Sequence, residues 1–178
     1  MEKKAQIFNE TEVERALMRL SYEIIEKSED LDKVVLAGIK TRGVPIAERI
    51  RENIRRNTGK TLPLSVLDIT FYRDDLSRKT DLPEVKPLPF SSKVDDMEVI
   101  LVDDVLYTGR TARAAIDAVF SLGRPRRISL CVLIDRGHME LPIIPDSAGK
   151  DVFTSQKEVV KVSLRETDGN TGVEILEN

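Results

Sequence analysis

A chain of 178 residues with 28 basic and 31 acidic side chains, formal net charge −3, is long enough to bury one full core and carries no global basic field of the kind that would advertise nucleic acid. Its 40% hydrophobic and 33% charged residues are the balance of an ordinary globular protein, expected as a single domain over 1–178. Neither a leader pattern nor an apolar span of about 20 residues is present, which predicts a cytoplasmic protein with no membrane partner.

After a polar start, Asn9-Glu10-Thr11-Glu12 has the pattern of a helix-capping box, and Val13, Ala16, Leu17, Leu20 and Ile24 recur at helical spacing. The other face of this first helix shows Arg15, Met18, Arg19, Tyr22 and Lys27, as a pattern no more than a solvated surface. Lys33 to Ile39 reads as a buried strand. It ends in Lys40-Thr41-Arg42-Gly43, before a helix with Pro45 in its first turn, an inner face of Ala47, Ile50 and Ile54, and Gly59 as its stop. A strand entering a helix through a short polar turn is an anion site, and Arg42 can fork onto phosphate. The alternative is a surface turn that merely contains an arginine.

Leu64 to Phe71 is a third strand. From about 72 to 94 no helical pattern follows; Arg73, Asp74, Asp75, Arg78 and Lys79 precede Pro83, Pro87 and Pro89. A connection this long without a helix reads as a flexible lid able to close basic side chains over a pyrophosphate, or as a solvated irregular hairpin.

The fourth strand, Glu98 to Val102, is a β-branched run of the kind buried in a parallel sheet, and it stops at two carboxylates, Asp103 and Asp104. Acids ending such a strand sit at the carboxyl edge of the sheet, where open α/β folds bind ligands. Thr108-Gly109-Arg110-Thr111 opens the next helix, whose inner face is read as Ala112, Ala115, Ile116, Val119 and Phe120 and whose end falls at Leu122-Gly123. The turn offers backbone N–H groups and a positive dipole end to phosphate. Carboxylates repel phosphate, so their task beside it is different, and the vicinal hydroxyls of a ribose suit them. A ligand bearing hydroxyls and phosphate on one small body is a ribose 5-phosphate.

Arg127 to Ile134 makes another buried strand, in which Cys131, the sole cysteine, reads as a reduced core thiol rather than a nucleophile. Its exit, Asp135-Arg136-Gly137-His138, holds the sole histidine, placed where catalysis would use it. Pro142, Pro145 and Gly149 then break the chain, and Glu158 to Leu164 and Val173 to Leu176 alternate like edge strands. Strands interleaved with helices give an α/β fold, a mainly parallel twisted sheet flanked by helices.

Val99 to Thr111, four apolar residues, an acid pair and Thr-Gly-Arg-Thr, resembles the 5-phosphoribosyl-1-pyrophosphate (PRPP) motif of the type I phosphoribosyltransferases. The alternative for these residues is a buried strand with an acidic exit, as in receiver domains, which leaves Thr108, Gly109 and Thr111 without a purpose. The resemblance implies a type I phosphoribosyltransferase fold with a lid over about 72–94 and a small hood from about 136. It implies that Asp103 and Asp104 hold the ribose hydroxyls and favour positive charge on the ring, and that Val105, Leu106, Tyr107, Thr108, Gly109, Arg110 and Thr111 form the 5-phosphate seat. Thr41 and Arg42 would face the pyrophosphate, with Arg73, Arg78 and Lys79 arriving from the lid. Mg²⁺ would be held mainly through pyrophosphate and water.

Wider segments, Ile39 to Gly43, Leu67 to Leu76, Leu122 to Pro125 and Asp135 to Pro142, extend the resemblance over nearly the whole chain, to the bifunctional pyrimidine operon attenuation regulators. That family makes UMP from uracil and PRPP and binds leader RNA of pyrimidine genes when UMP is present. The resemblance implies a uracil pocket with Arg136 near the base and the backbone around Val160 as a further contact, a homodimer able to form a tetramer or hexamer, and an RNA face of Arg15, Arg19, Tyr22, Lys27, His138 and Lys150. Met18 and Tyr22 stand where the family carries threonine and histidine around the retained Arg19, and Ile144 and Gln156 replace basic residues. Three functions therefore stand open: a transferase that also regulates through RNA, a transferase without RNA regulation, and an RNA-binding regulator with vestigial catalysis. A purine-specific transferase is a fourth reading.

Overall fold

The computed structural model describes residues 1–70 and 93–177. Among these, five strands form an all-parallel sheet in the order β3-β2-β4-β5-β6, and three form a separate sheet in the order β1-β8-β7. In the first are β2 (Val34–Ile39), β3 (Leu64–Leu67), β4 (Glu98–Leu106), β5 (Arg127–Asp135) and β6 (Ser147–Asp151). In the second, β1 (Glu2–Phe8) and β7 (Glu158–Ser163) both pair antiparallel with β8 (Gly172–Glu177).

The central parallel strands are largely apolar, β2 wholly so and β4 from Val99 to Val102, because helices cover both faces. Along β2 and β4, Val34, Leu36, Ile100 and Val102 join one core cluster with α1 (Glu10–Lys27) and α2 (Gly43–Thr58). Ala37, Ile39, Val99 and Leu101 join the other, beneath α3 (Arg110–Leu122). The period of two is the physical reason that one strand feeds two cores. Helix α1 starts as its sequence dictates: Asn9 and Glu12 form a reciprocal capping box. Pro45 lies in the first turn of α2, and Gly59 ends it in the left-handed conformation at φ 75°.

Several expectations need correction. The polar start is a strand, β1, whose alternation is masked because its side chains are half-buried or exposed. Strand β3 ends at Leu67, where Asp68 turns the chain by accepting the Thr70 N–H (3.1 Å); Phe71 lies outside the described residues. Strand β4 runs past the acid pair to Leu106, because β5 goes on pairing with it after β2 has ended at the Gly38–Val102 register. The Pro-broken stretch contains β6, and β8 is the central strand of its sheet rather than an edge. Phe120 is 58% exposed, and α3 buries Ala114 and Ala118 instead, since small residues bring the helix close to the sheet.

Candidate active site

The ends of β2 and β4 and the starts of α2 and α3 meet at the carboxyl edge of the parallel sheet. A hollow of about 390 Å³ there is lined by Lys40, Thr41 and Arg42, by Asp68 and Thr70, and by Asp103, Asp104 and Thr111. A neighbouring hollow of about 230 Å³ is lined by Asp103, by the whole turn Tyr107 to Thr111 and by Leu130 and Val132. Asp103 borders both. The sheet alternation slips between Val102 and Val105: Val102 belongs to the α1–α2 core, yet Val105 packs on that same side and Leu106 on the α3 side. The carboxylates are held by the chain itself, Asp104 N–H donating to Asp103 Oδ1 (2.9 Å) and Val105 N–H to Asp104 Oδ1 (2.8 Å). Burial, and then the neighbouring Asp104 carboxylate, push the Asp103 carboxyl well above its ordinary range.

Helices α2 and α3 begin at this edge, and their Ncap residues, Arg42 and Gly109, make no side-chain capping bond, in contrast to the boxed start of α1; at the α3 start Arg110 N–H makes only a long contact with Thr108 Oγ1 (3.4 Å). Their first N–H groups and positive dipole ends are thus left for an anion. Gly109 opens α3 at φ 88°, a conformation that L side chains rarely adopt. Gly43 brings the α2 start against β4: a Cβ there would lie 2.2 Å from the Val102 carbonyl oxygen. Close approach at this point sets the Lys40–Arg42 turn beside the acid pair.

The side chains expected to bind anions are in part engaged with protein carboxylates. Arg42 forks onto Asp168 (Nε 3.2 Å, Nη2 2.8 Å), and Arg110 onto Glu140 (3.0 and 2.7 Å). Arg136, 7% exposed, lies with its guanidinium 3.9 Å from the Tyr107 ring centroid. It donates to Thr154 Oγ1 (2.9 Å) and to the carbonyls of Ser155 and Glu158. Val160 is buried in β7 opposite Ile175, within the second sheet and its core. Arg73, Arg78 and Lys79, and nearly all of the expected lid, lie outside the described residues.

Of the expected RNA face, Arg19 and Lys27 reach from α1 to β6 and its approach, Arg19 to the carbonyls of Ala148 and Gly149 and Lys27 to Ser147 Oγ (3.0 Å). Lys150 lies on the same strand, its ammonium 5.3 Å from the Phe8 ring. Arg15 is exposed on α1. Tyr22 O–H donates to Asn57 Oδ1 (2.9 Å). His138 stands apart, with Nε2 2.6 Å from the Thr154 carbonyl and its ring edge-on to Tyr107.

Sequence reasoning missed Asp68 and Asp168 as site neighbours. Asp68 pairs with Lys40 (3.2 Å) and is held below the ordinary carboxylate range by the Thr70 hydroxyl and N–H. Asp168, in the short helix α4 (Arg165–Asp168), is 126 residues from Arg42 in the chain, so no local signal could pair them.

A phosphoribosyl transferase domain model matches residues 4–167. Over full length the chain is 50% identical to the bifunctional protein PyrR of Clostridium perfringens, covering 100% of both. It is 52% identical to that of Thermoanaerobacter sp. over 99% of each chain. The chain belongs to the phosphoribosyltransferase family, in its bifunctional PyrR group. The fold is shared at much greater distance: a hypoxanthine phosphoribosyltransferase from Staphylococcus aureus superposes with a TM-score of 0.73 at 16% identity, over 99% of this chain and 93% of that one. One from Trypanosoma cruzi gives 0.76 at 14% identity, over 98% and 96%.

Proposed function

We propose that the protein is a uracil phosphoribosyltransferase, forming UMP and pyrophosphate from uracil and PRPP, and that it binds the leader RNA of pyrimidine genes in response to UMP. One observation carries the enzyme reading: Asp103, Asp104 and Thr111 share a hollow with the Lys40–Arg42 turn at two helix starts whose Ncap residues make no side-chain capping bond. Loss of pyrophosphate from C1 leaves an oxocarbenium-like ring, which needs nearby negative charge more than a strong nucleophile. Asp103 and Asp104 accept the ribose hydroxyls and stabilise that charge. The backbone N–H groups of Tyr107 to Thr111 bind the 5-phosphate. With the Arg42 and Arg110 guanidinium groups on carboxylates, both turns act toward phosphate chiefly through backbone and threonine hydroxyls.

Uracil sits toward Tyr107 and Arg136, with the backbone near Val160 as a further contact, and Arg73, Arg78 and Lys79 close over the pyrophosphate. Among the described residues no three His, Cys, Asp or Glu side chains gather as a metal cage. Mg²⁺ held mainly by pyrophosphate oxygens and water would neutralise the leaving group. The protein works as a homodimer or higher assembly in the cytoplasm. Among the described residues no helix is long and apolar enough to cross a membrane.

The RNA reading is supported by Arg19, Lys27 and Lys150 converging on β6 beside the exposed Arg15. The decisive assay is UMP formation from uracil and PRPP. Asp104→Asn should abolish turnover and leave the circular dichroism spectrum unchanged; wild-type rates in that variant would remove the site assignment. Competition by hypoxanthine but not uracil would establish a purine enzyme instead.

A further inference from the structure

The turn between β2 and α2 is tied at both ends to carboxylates from elsewhere in the chain. On one side Lys40 Nζ meets Asp68 (3.2 Å) and Lys40 N–H donates to the Leu67 carbonyl (3.0 Å). On the other, both arms of the Arg42 fork meet Asp168, which also accepts the Leu164 N–H (2.9 Å) and the Thr167 hydroxyl (2.6 Å). Four donors fix that carboxylate, so it is a rigid anchor rather than a mobile surface charge. The Arg42 guanidinium holds the Asp168 carboxyl below the usual carboxylate range, consistent with a pair that stays ionised. Between the two ties lies Thr41, on the wall of the hollow that holds the acid pair.

Asp168 does not line that hollow, and it comes from α4, between β7 and β8 of the second sheet. Resting on the functional reading above, we propose that Asp168 is a positioning residue for PRPP: it holds Arg42 away from the pyrophosphate and fixes the turn so that Thr41 and the α2 N–H groups meet the leaving group. An arginine that is the Ncap residue of α2 is well placed for this. Pulling its side chain outward sets the first turn of the helix, so losing the tie weakens the seat for the pyrophosphate equally before and during bond breaking, which raises KM and spares kcat. The adjacent Glu166 gives a matched control, since it forks onto Arg49 (2.9 and 2.7 Å) two helical turns further along α2.

The test is steady-state UMP synthesis with the full-length protein, varying PRPP and uracil separately, together with thermal melts. Asp168→Asn, which retains the size and an acceptor oxygen, should raise the KM for PRPP about tenfold while kcat and the KM for uracil stay within about twofold. Asp168→Glu should recover most of the loss. Glu166→Gln should lower Tm and leave the KM for PRPP unmoved. Because Arg42 and Asp168 act as one unit, the double variant with Arg42→Ala should be no worse than the poorer single variant.

A lowered KM for PRPP in Asp168→Asn would overturn the proposal, since the carboxylate would then be a competitor of the substrate. So would additive effects of the two substitutions, or equal shifts from Asp168 and Glu166, which would mark a merely structural contact. Wild-type protein that makes no UMP would remove the functional reading and this proposal together. Normal wild-type turnover with an unmoved KM in Asp168→Asn would remove the proposal alone.

Discussion

Arg136 packs on Tyr107, guanidinium carbon 3.9 Å from ring centroid, and the contact joins the Tyr107–Thr111 turn to the segment that leads into the second sheet. The same guanidinium donates to Thr154, Ser155 and Glu158. Removing it leaves buried carbonyls without a donor and an aromatic ring without its cover. Arg136→Ala should cost ~2–4 kcal/mol of stability, a fall in Tm of roughly 5–15 °C. Arg136→Lys should recover little, because an ammonium cannot fork to several acceptors while stacking on the ring. Calorimetry on both variants checks this, and a Lys variant as stable as wild type would contradict it.

The raised carboxyl of Asp103 makes stability depend on pH in a defined direction. Its folded pKa lies above the unfolded value, through burial first and Asp104 second. The stability it contributes is therefore full below the ordinary carboxylate pKa and is lost as pH rises through the folded value. Asp103→Asn, which cannot ionise, should melt higher than wild type at pH 8, and the gap should close toward pH 4. Loss of activity in that variant at both pH values would show that the site keeps an unfavourable charge for chemistry. Equal melting of the two proteins at every pH would show the carboxyl to be unperturbed.

Gly43 is a point of very close approach between α2 and β4. A methyl group there meets backbone, the Val102 carbonyl oxygen at 2.2 Å and the Asp103 Cα at 3.3 Å. Backbone cannot rotate away as a side-chain end can, so α2 must shift outward and take the Lys40–Arg42 turn with it. Gly43→Ala should cost ~1–3 kcal/mol and raise the KM for PRPP, with a smaller effect on uracil. Unchanged kinetics for PRPP would mean that the turn is not positioned by this contact.

Much of this site was legible in the chain because its parts are local. Val99 to Thr111 supplies strand, acid pair, glycine and helix start within one stretch, and backbone geometry alone carries these to the sheet edge. The capping box of α1 and the stop at Gly59 were legible for the same reason. Partners brought together by topology were not. Arg42 reads as a phosphate ligand until Asp168 arrives from α4, and Arg110 does so until Glu140 arrives from the turn after β5. Strand β6 was hidden because Ser147, Gly149 and Lys150 break the apolar run, although β5 pairs with it. Phe120 looked like core because it falls one position from Val119, and the actual helix buries Ala114 and Ala118 instead.

Cys131 tests how tightly the parallel sheet is closed. It is buried in β5 among the residues that α1 covers, and burial pushes its thiol up to about 12. Thiolate is the reactive form, so at pH 8 the folded protein should resist alkylation by iodoacetamide and react stoichiometrically only after unfolding. Rapid labelling of native protein, followed by mass spectrometry, would mean that the α1 side of the sheet opens readily.

Arg19 is the residue on which the fold and the proposed RNA face meet. Its guanidinium pairs with Glu23 (2.5 Å) and caps the Ala148 and Gly149 carbonyls of β6, so the charge is held in a fixed place beside Lys27 and Lys150. A held guanidinium loses less side-chain entropy on meeting a phosphate, and the phosphate takes the Nη1 donor by displacing the Glu23 carboxylate. A labelled stem-loop from the leader of a pyrimidine gene should bind the wild-type protein more tightly with UMP than without it. Arg19→Ala should weaken that binding about tenfold and reduce the slope of log K against log salt by roughly one phosphate contact. Tyr22→Phe loses only the hydroxyl bound to Asn57 and should bind RNA normally, whereas Tyr22→Ala should weaken binding if the ring stacks on an unpaired base. Equal affinity of wild type and Arg19→Ala would move the RNA face elsewhere. Failure of the wild-type protein to bind RNA with or without UMP, while it still converts uracil to UMP, would make Met18 and Tyr22 the mark of a transferase that works without RNA regulation.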